Sequence, residues 1–459
     1  MISTVKPLTT NSLNDFFLCQ QEKVLTKKKL IFYSRGVRGD IRRIIMKDLV
    51  GAMIFAQSGG PTSVINASAA GVFTEALNQK NVTAVYGAAH GIKGILTEQF
   101  YDMAQEDPKE LELLKYTPSS ALGSVRYKLK DYDVDPTDYN RLLEVFKKYD
   151  IRYFFYNGGN DSMDTCNKIS KFMAKSGWDC NVIGVPKTID NDLMGTDHCP
   201  GFASAAKYIA TTAMEVALDS RVYDTGLVCV MEVMGRNAGW LTAATALSNL
   251  YGNKGVDLIY LPEVPFDMDK FIEDVKAVCA KNENKCFVAV SEGIKFADGG
   301  YVGEFTASKT DLFGHAQLGG VCNVLAGVIK EKLGVKVRGI ELNLMQRCAA
   351  HLASKVDVEE AFEAGRQAVM AAVNGYTDFM VAYERAEGEK YQTIYKLVPL
   401  SICANTEKKV PAEWITDNGT NVSKEFVDYA LPLIQGKWET PKENGLPRFA
   451  KLKKVLAAR

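Results

Sequence analysis

The chain has 459 residues, 47% of them hydrophobic and 24% charged, with 55 basic and 55 acidic side chains and zero formal net charge. This balance suits a globular protein of two or three domains and offers no positive excess for nucleic acid or an anionic membrane. No apolar run approaches the roughly 20 residues of a membrane helix, and ten scattered cysteines without CxxC pairs fit reduced thiols in the cytoplasm.

In chain order, residues 1–45 stand apart. They hold nine Lys/Arg and three Asp/Glu, so the remainder carries 46 basic and 52 acidic residues. No apolar stretch follows the basic residues, which excludes a secretory signal. We read 1–45 as a disordered or non-native extension and Met46 as the functional start. From there strand-like runs alternate with helical patterns. The strands are expected at 49–57, 82–88, 152–157, 181–186, 225–233, 256–263, 286–293 and 335–342. Helices are expected at 63–79, 162–177, 267–282 and 357–375, among others. Nearly continuous apolar strands between helices indicate parallel sheets covered on both faces, hence a doubly wound α/β fold with ligands at the carboxyl ends of the strands.

The polar motifs fall at those ends. "AQSGGPTSVINASAAG" (56–71) combines a Gly59-Gly60 turn, Pro61 in an early helical turn and Ser/Thr near a helix cap, an arrangement that cradles anions. "YNGGNDSMDT" (156–165) is a similar turn with an acid inside it. Asp161 could serve as a helix cap; Asn160 could cap too, or could face a metal-bound phosphate. "PKTIDNDLMGTDHCPGF" (186–202) offers Lys187 as a point charge for phosphate. Its Asp190 and Asp192, two apart around Asn191, provide for a base and a Mg²⁺ holder, unless the run is merely an acidic surface turn. "MEVMGRNAGW" (231–240) brings Arg236, shaped for phosphate or for a salt bridge. "VSEGI" (290–294) brings Glu292 as an acceptor for sugar hydroxyls, and Arg126, Arg338, Gln346 and Arg347 add to the set. The four histidines are isolated, against a histidine-rich metal site. Together these residues suit phosphoryl transfer to a phosphorylated, hydroxylated substrate.

The ordered set "SGGP", "GGNDS", "PKTIDND", "MGR", "SEG" and "QR", spanning about 50–350, resembles the phosphofructokinase family, and its pyrophosphate-dependent branch in particular. The resemblance implies two Rossmann-like α/β domains with the active site in the cleft between them. We expect one domain at 46–200 with roughly 346–410 for pyrophosphate and Mg²⁺, and another at 201–345 with roughly 411–459 for the sugar phosphate. It also implies roles. Asp190 would be the general base toward the C1 hydroxyl of fructose 6-phosphate. Thr188 and Asp192 would flank the moving phosphoryl, with Asp192, Asn160 and Asp161 near the metal. Gly59, Gly60, Arg126, Asp161 and Lys187 would take pyrophosphate. Met234, Gly235, Arg236, Glu292, Arg338 and Arg347 would join Thr188 and Asp190 around the sugar phosphate.

In the ATP-using branch the positions of Asp161 and Lys187 are glycines. A carboxylate 4 Å from the α-phosphate of ATP would cost roughly 4 kcal/mol at an effective dielectric of 20, enough to set donor choice. The resemblance is imperfect at Asn160, an aspartate in many relatives, at Leu344, a histidine in the ATP branch, and at Leu227, an arginine reaching a neighbour's site in tetrameric ATP relatives. Tyr383 or Arg385 is a candidate to complete the phosphate pocket. The resemblance implies a Mg²⁺-dependent cytoplasmic homo-oligomer, dimer or tetramer, acting on pyrophosphate and fructose 6-phosphate. The alternatives are another acceptor such as sedoheptulose 7-phosphate, an ATP-dependent enzyme, or a non-catalytic regulatory subunit.

Overall fold

The computed structural model describes residues 49–303, 320–404 and 406–458; the extension 1–45 and the start at Met46 lie outside them. The strands that carry the architecture are β1 (Gly51–Gln57), β2 (Val82–Ala88), β3 (Phe100–Asp102), β4 (Ile151–Gly158), β5 (Asn181–Pro186), β6 (Leu227–Val233), β7 (Leu258–Tyr260), β8 (Lys285–Ser291), β9 (Val337–Glu341), β10 (Phe379–Arg385) and β11 (Thr393–Pro399). They form a seven-stranded sheet in the order β11-β10-β5-β4-β1-β2-β3 and a four-stranded sheet in the order β7-β8-β6-β9. Within the first, β10, β5, β4, β1 and β2 run parallel, and β11 and β3 are antiparallel edges. The second is parallel throughout.

The sheets are covered on both faces by helices α1 (Ile65–Leu77), α2 (Thr137–Lys148), α3 (Asn160–Lys175), α4 (Phe202–Ser220), α5 (Met268–Lys281), α6 (Val321–Leu333), α7 (Lys355–Val373) and α8 (Lys424–Ala430). Alternation along a strand decides which face each side chain serves. Ile54 and Ala56 of β1 enter a core with α2 and α3, whereas Met53 and Phe55 enter another with α1 and α7. In β6, Val228 and Val230 face α5 and α6, while Cys229, Met231 and Val233 face α4 and α8. Met53, Ile54 and Phe55 are fully buried, a contribution of about 2 kcal/mol each. This is the doubly wound α/β class expected from the apolar runs.

Two short edge features escape the periodicity. The hairpin β10–β11 flanks β5, and residues 455–457 run along β3, with Asp102 N donating to Val455 O and Ala457 N to Phe100 O at 2.9 Å each. One expectation about local structure is corrected. Pro61 does not open a helix: α1 starts at Ile65, its cap position Val64 has no side-chain cap, and Thr62 Oγ1 instead accepts from Val64 N at 3.2 Å. Among the described residues no helix is long and apolar enough to cross a membrane.

Candidate active site

Adjacent parallel strands β1 and β4 each end in a glycine turn. At the first, Gly59 has φ +75, and a Cβ on Gly60 would lie 2.9 Å from Arg347 Nη1. The missing side chain is therefore what lets a guanidinium reach the turn. Lys187 Nζ donates to Gly60 O at 2.7 Å, and Ser124 Oγ to Gly59 O at 2.6 Å. The second turn passes directly into α3, with Gly159 at the cap position and Asp161 in the first helical turn. Neither Asn160 nor Asp161 caps the helix. Asn160 Nδ2 donates to Asp192 Oδ2 at 2.9 Å, and only the main-chain oxygen of Asp161 is engaged locally, by Thr165 Oγ1 at 3.0 Å. The Asp161 carboxylate acts on Arg126, partly offsetting the burial that pushes that guanidinium down.

The loop after β5 joins the two turns. Lys187 N donates to Gly158 O at 3.0 Å while its Nζ reaches Gly60, so one residue spans both. Lys187 is 4% exposed. Burial lowers its pKa to about 8, Asp190 and Asp192 opposing the shift and Arg347 and Arg126 adding to it. Asp190 is raised by burial, against the pull of Lys187, Arg236 and Arg347. Asp190 N donates to Thr188 Oγ1 at 3.1 Å, which orders the turn. Asp192 is raised to about 7 by burial and by the charges of Asp190 and Glu407.

The loops after β6 and β8 bring the residues expected on the sugar side to the same place. Gly235 N donates to Glu292 Oε1 at 3.3 Å, and Met234 N to Gln346 Oε1 at 3.2 Å. Burial raises Glu292 to about 7, reinforced by the charge of Asp190. Arg236 acts on both Arg126 and Asp190, and its Nε is buried without a hydrogen-bond partner. A desolvated guanidinium N–H of this kind suits an anionic ligand. Burial and Arg126 push Arg347 down. The site thus gathers Gly59, Gly60, Arg126, Asn160, Asp161, Lys187, Thr188, Asp190, Asp192, Met234, Gly235, Arg236, Glu292 and Arg347.

Arg338 is not brought there. It is exposed on the edge strand β9, level with Cys229 near the start of β6, whereas the site lies beyond the other end of that strand. Leu344 is exposed and Leu227 buried. Arg385 is occupied by the Asp197 carboxylate (3.0 and 3.1 Å) and the Tyr429 carbonyl, and Tyr383 is buried in a core of the first sheet. Conversely, sequence reading missed Glu407. A short bridge pairs Leu193 with Glu407, Lys408 N donates to Asp192 O at 2.7 Å, and Asn237 Nδ2 donates to Glu407 Oε1 at 2.9 Å. No local signal at 407 announces this contact across some 215 residues.

Among the described residues no three His, Cys, Asp or Glu side chains converge into a metal cage. What exists is a pair of buried oxygens without partners, Asn160 Oδ1 and Asp192 Oδ1, on two side chains already hydrogen-bonded to each other. One or two protein oxygens, with phosphates completing the shell, are what Mg²⁺ accepts.

Comparison with known proteins bears on the chain as a whole. The phosphofructokinase family profile matches residues 52–386. The pyrophosphate–fructose 6-phosphate 1-phosphotransferase of Halomonas elongata is 45% identical, over 87% of this chain and 96% of its own length. The protein of the same name from Methylococcus capsulatus is 43% identical over 87% and 95%. The crystal structure of a pyrophosphate-dependent phosphofructokinase from Nitrosospira multiformis superposes with a TM-score of 0.82 at 41% identity, covering 89% of this chain and 98% of that one.

Proposed function

The chain belongs to the phosphofructokinase family, and from that premise we propose that it transfers a phosphoryl group from pyrophosphate to the C1 hydroxyl of fructose 6-phosphate, reversibly, giving fructose 1,6-bisphosphate and phosphate. The observation that carries the choice of donor is Lys187, buried between the two glycine turns, with Asp161 in the first turn of α3 acting on Arg126 of the same site. A cation at one turn serves a compact, highly charged donor. A carboxylate at the other stands against the further phosphate of a nucleotide.

In this reading Arg126, Lys187 and the Gly59-Gly60 turn hold pyrophosphate. Arg236, Glu292, Arg347 and the main chain at Met234 and Gly235 orient the sugar phosphate. Asp190 takes the C1 proton as that oxygen attacks the terminal phosphorus, and the bond to the leaving phosphate breaks while Lys187 balances its charge. The raised pKa of Asp190 suits a base that must hold the proton once it has taken it. Thr188 fixes the turn beside it. Mg²⁺ held near Asp192, Asn160 and Asp161 would supply charge neutralisation on the phosphates. Positioning and electrostatics account for most of the rate, without a covalent enzyme intermediate.

The two sheets support a division into 46–200 with roughly 346–410, and 201–345 with roughly 411–459 as far as α8; residues 450–457 depart from it and pack on the first sheet beside β3. Arg338 is exposed on the edge strand β9, level with Cys229 rather than with the strand's far end, so in this reading any part it has in a 6-phosphate pocket is played toward a second copy, in a dimer or tetramer. Nine described cysteines, eight of them buried, are free thiols, which suits the cytoplasm.

Initial rates with fructose 6-phosphate and Mg²⁺ test the proposal, with pyrophosphate or ATP as sole donor. Turnover with pyrophosphate alone is expected; turnover with ATP alone overturns the donor assignment. Asp190→Ala is expected to abolish turnover while fructose 6-phosphate still binds in a calorimetric titration, and near-normal kcat in that variant would remove Asp190 as the base.

A further inference from the structure

Asp190 and Asp192 are two residues apart and both act on Lys187, yet their remaining partners differ. In an extended segment, side chains at i and i+2 face the same way. Here Asp190 lies among the charges of Lys187, Arg236 and Arg347, whereas Asp192 Oδ2 accepts from Asn160 Nδ2 at the start of α3. The residue between them, Asn191, has φ 57, a left-handed conformation that breaks the alternation and that asparagine tolerates better than most side chains.

A glycine would satisfy the backbone as well, so the amide needs its own account. Asn191 is fully buried, and both ends of its side chain are engaged. Oδ1 accepts from Cys199 N at 2.9 Å, and Nδ2 donates to Tyr429 OH at 2.8 Å. That hydroxyl in turn donates to Asp197 O at 2.8 Å. The chain of bonds ties the outgoing limb of the loop, 187–192, to its returning limb, 196–201. Tyr429 is anchored from the other side: it belongs to α8 and its ring packs against Trp240 and Trp414 at centroid distances of 5.3 and 5.5 Å, beneath the second sheet. A side chain rooted under one sheet therefore fixes the loop that leaves the other.

We propose that Asn191, held by Tyr429, is a positioning residue for the phosphoryl transfer, setting Asp190 toward the sugar-side arginines and Asp192 toward Asn160. The inference rests on the roles given above to these two acids. It predicts an effect on turnover rather than on substrate binding, because neither Asn191 nor Tyr429 belongs to the residues that hold pyrophosphate or sugar.

The experiment compares the full chain with Tyr429→Phe, Asn191→Gly and the double variant. It measures kcat, KM for both substrates and the thermal midpoint, with rates taken well below unfolding. Each single variant is expected to lower kcat by about tenfold or more, with KM changed less than about threefold. The double variant is expected to be no slower than the slower single one, since both changes cut the same link. Tyr429→Phe keeps the ring and its packing, so it decides the matter even if Asn191→Gly does not fold. A kcat within twofold of the unaltered enzyme in Tyr429→Phe overturns the proposal. So do fold losses that multiply in the double variant, or losses expressed only in KM. Inactivity of the unaltered chain with pyrophosphate and fructose 6-phosphate is a different result: it sinks the functional reading itself.

Discussion

The turns after β1 and β4 are neighbours in one sheet and share a grammar of apolar strand followed by two glycines, yet their electrostatics are opposite. The first lies open, four residues ahead of its helix, and is approached by Lys187 and Arg347. The second runs straight into a helix and presents an acid where a phosphate-binding turn would ordinarily be neutral. The glycines set where the backbone can be approached. What approaches is decided by residues elsewhere in the chain, Lys187 and Arg347 above all. A strand–Gly–Gly–helix pattern is thus a statement about room, and charge must be read separately.

The contrast can be broken or sharpened by experiment. The largest effect is expected from Lys187→Met, which strips the first turn of its ammonium group: kcat/KM for pyrophosphate should fall by about a thousandfold in initial-rate assays. Replacing Asp161 and Lys187 together by glycine removes the acid of the second turn and the ammonium group of the first, where Arg347 remains. Pyrophosphate use should weaken, and the ATP-to-pyrophosphate rate ratio should rise by about a hundredfold from the relief of like-charge repulsion. An unchanged ratio would remove the account of donor choice.

The next effect is in pH. Burial holds Lys187 at about 8 in the free protein, so it is charged below that value and neutral above it. The plot of kcat/KM for pyrophosphate should therefore decline as pH climbs through about 8, and the decline should move to much higher pH in Lys187→Arg. The smallest effects separate the glycines. Gly60→Ala meets only the far end of Arg347 and should raise KM a few fold at unchanged thermal midpoint. In Gly158→Ala the new Cβ would sit 1.9 Å from Ser162 Oγ and 2.4 Å from its Cβ. That clash should destabilise the fold by about 1–3 kcal/mol, measurable by denaturant unfolding.

Much of this is legible in the sequence. Expected strands at 82–88 and 181–186 coincide with β2 and β5, and the apolar runs at 49–57 and 152–157 place both glycine turns. Local order along the chain carries that information, because a buried parallel strand must be apolar throughout. Three things were not legible. The start of α1 was misplaced because Pro61 and the following Thr and Ser suit a turn as well as a helix start. The displacement of Arg338 depends on register: only its alignment with Cys229 shows how far from the strand's end it lies. Glu407, Lys408 and Tyr429 reach the loop after β5 through the tertiary path of the chain, which no window of sequence displays.

Both outer flanks of the first sheet are furnished by residues far downstream of its centre. Strands β1 to β5 end at Pro186, but β10 and β11 come from 379–399, and the outer side of β3 is covered by 455–457. During synthesis, a central block of parallel strands would stand with unpaired N–H and C=O rows on two sides until those segments emerge. A chain interrupted before residue 379 leaves both rows open to other chains, so nascent or truncated forms should depend on chaperones far more than the finished molecule does. The order of assembly, rather than final stability, is then where this sheet is most exposed to aggregation.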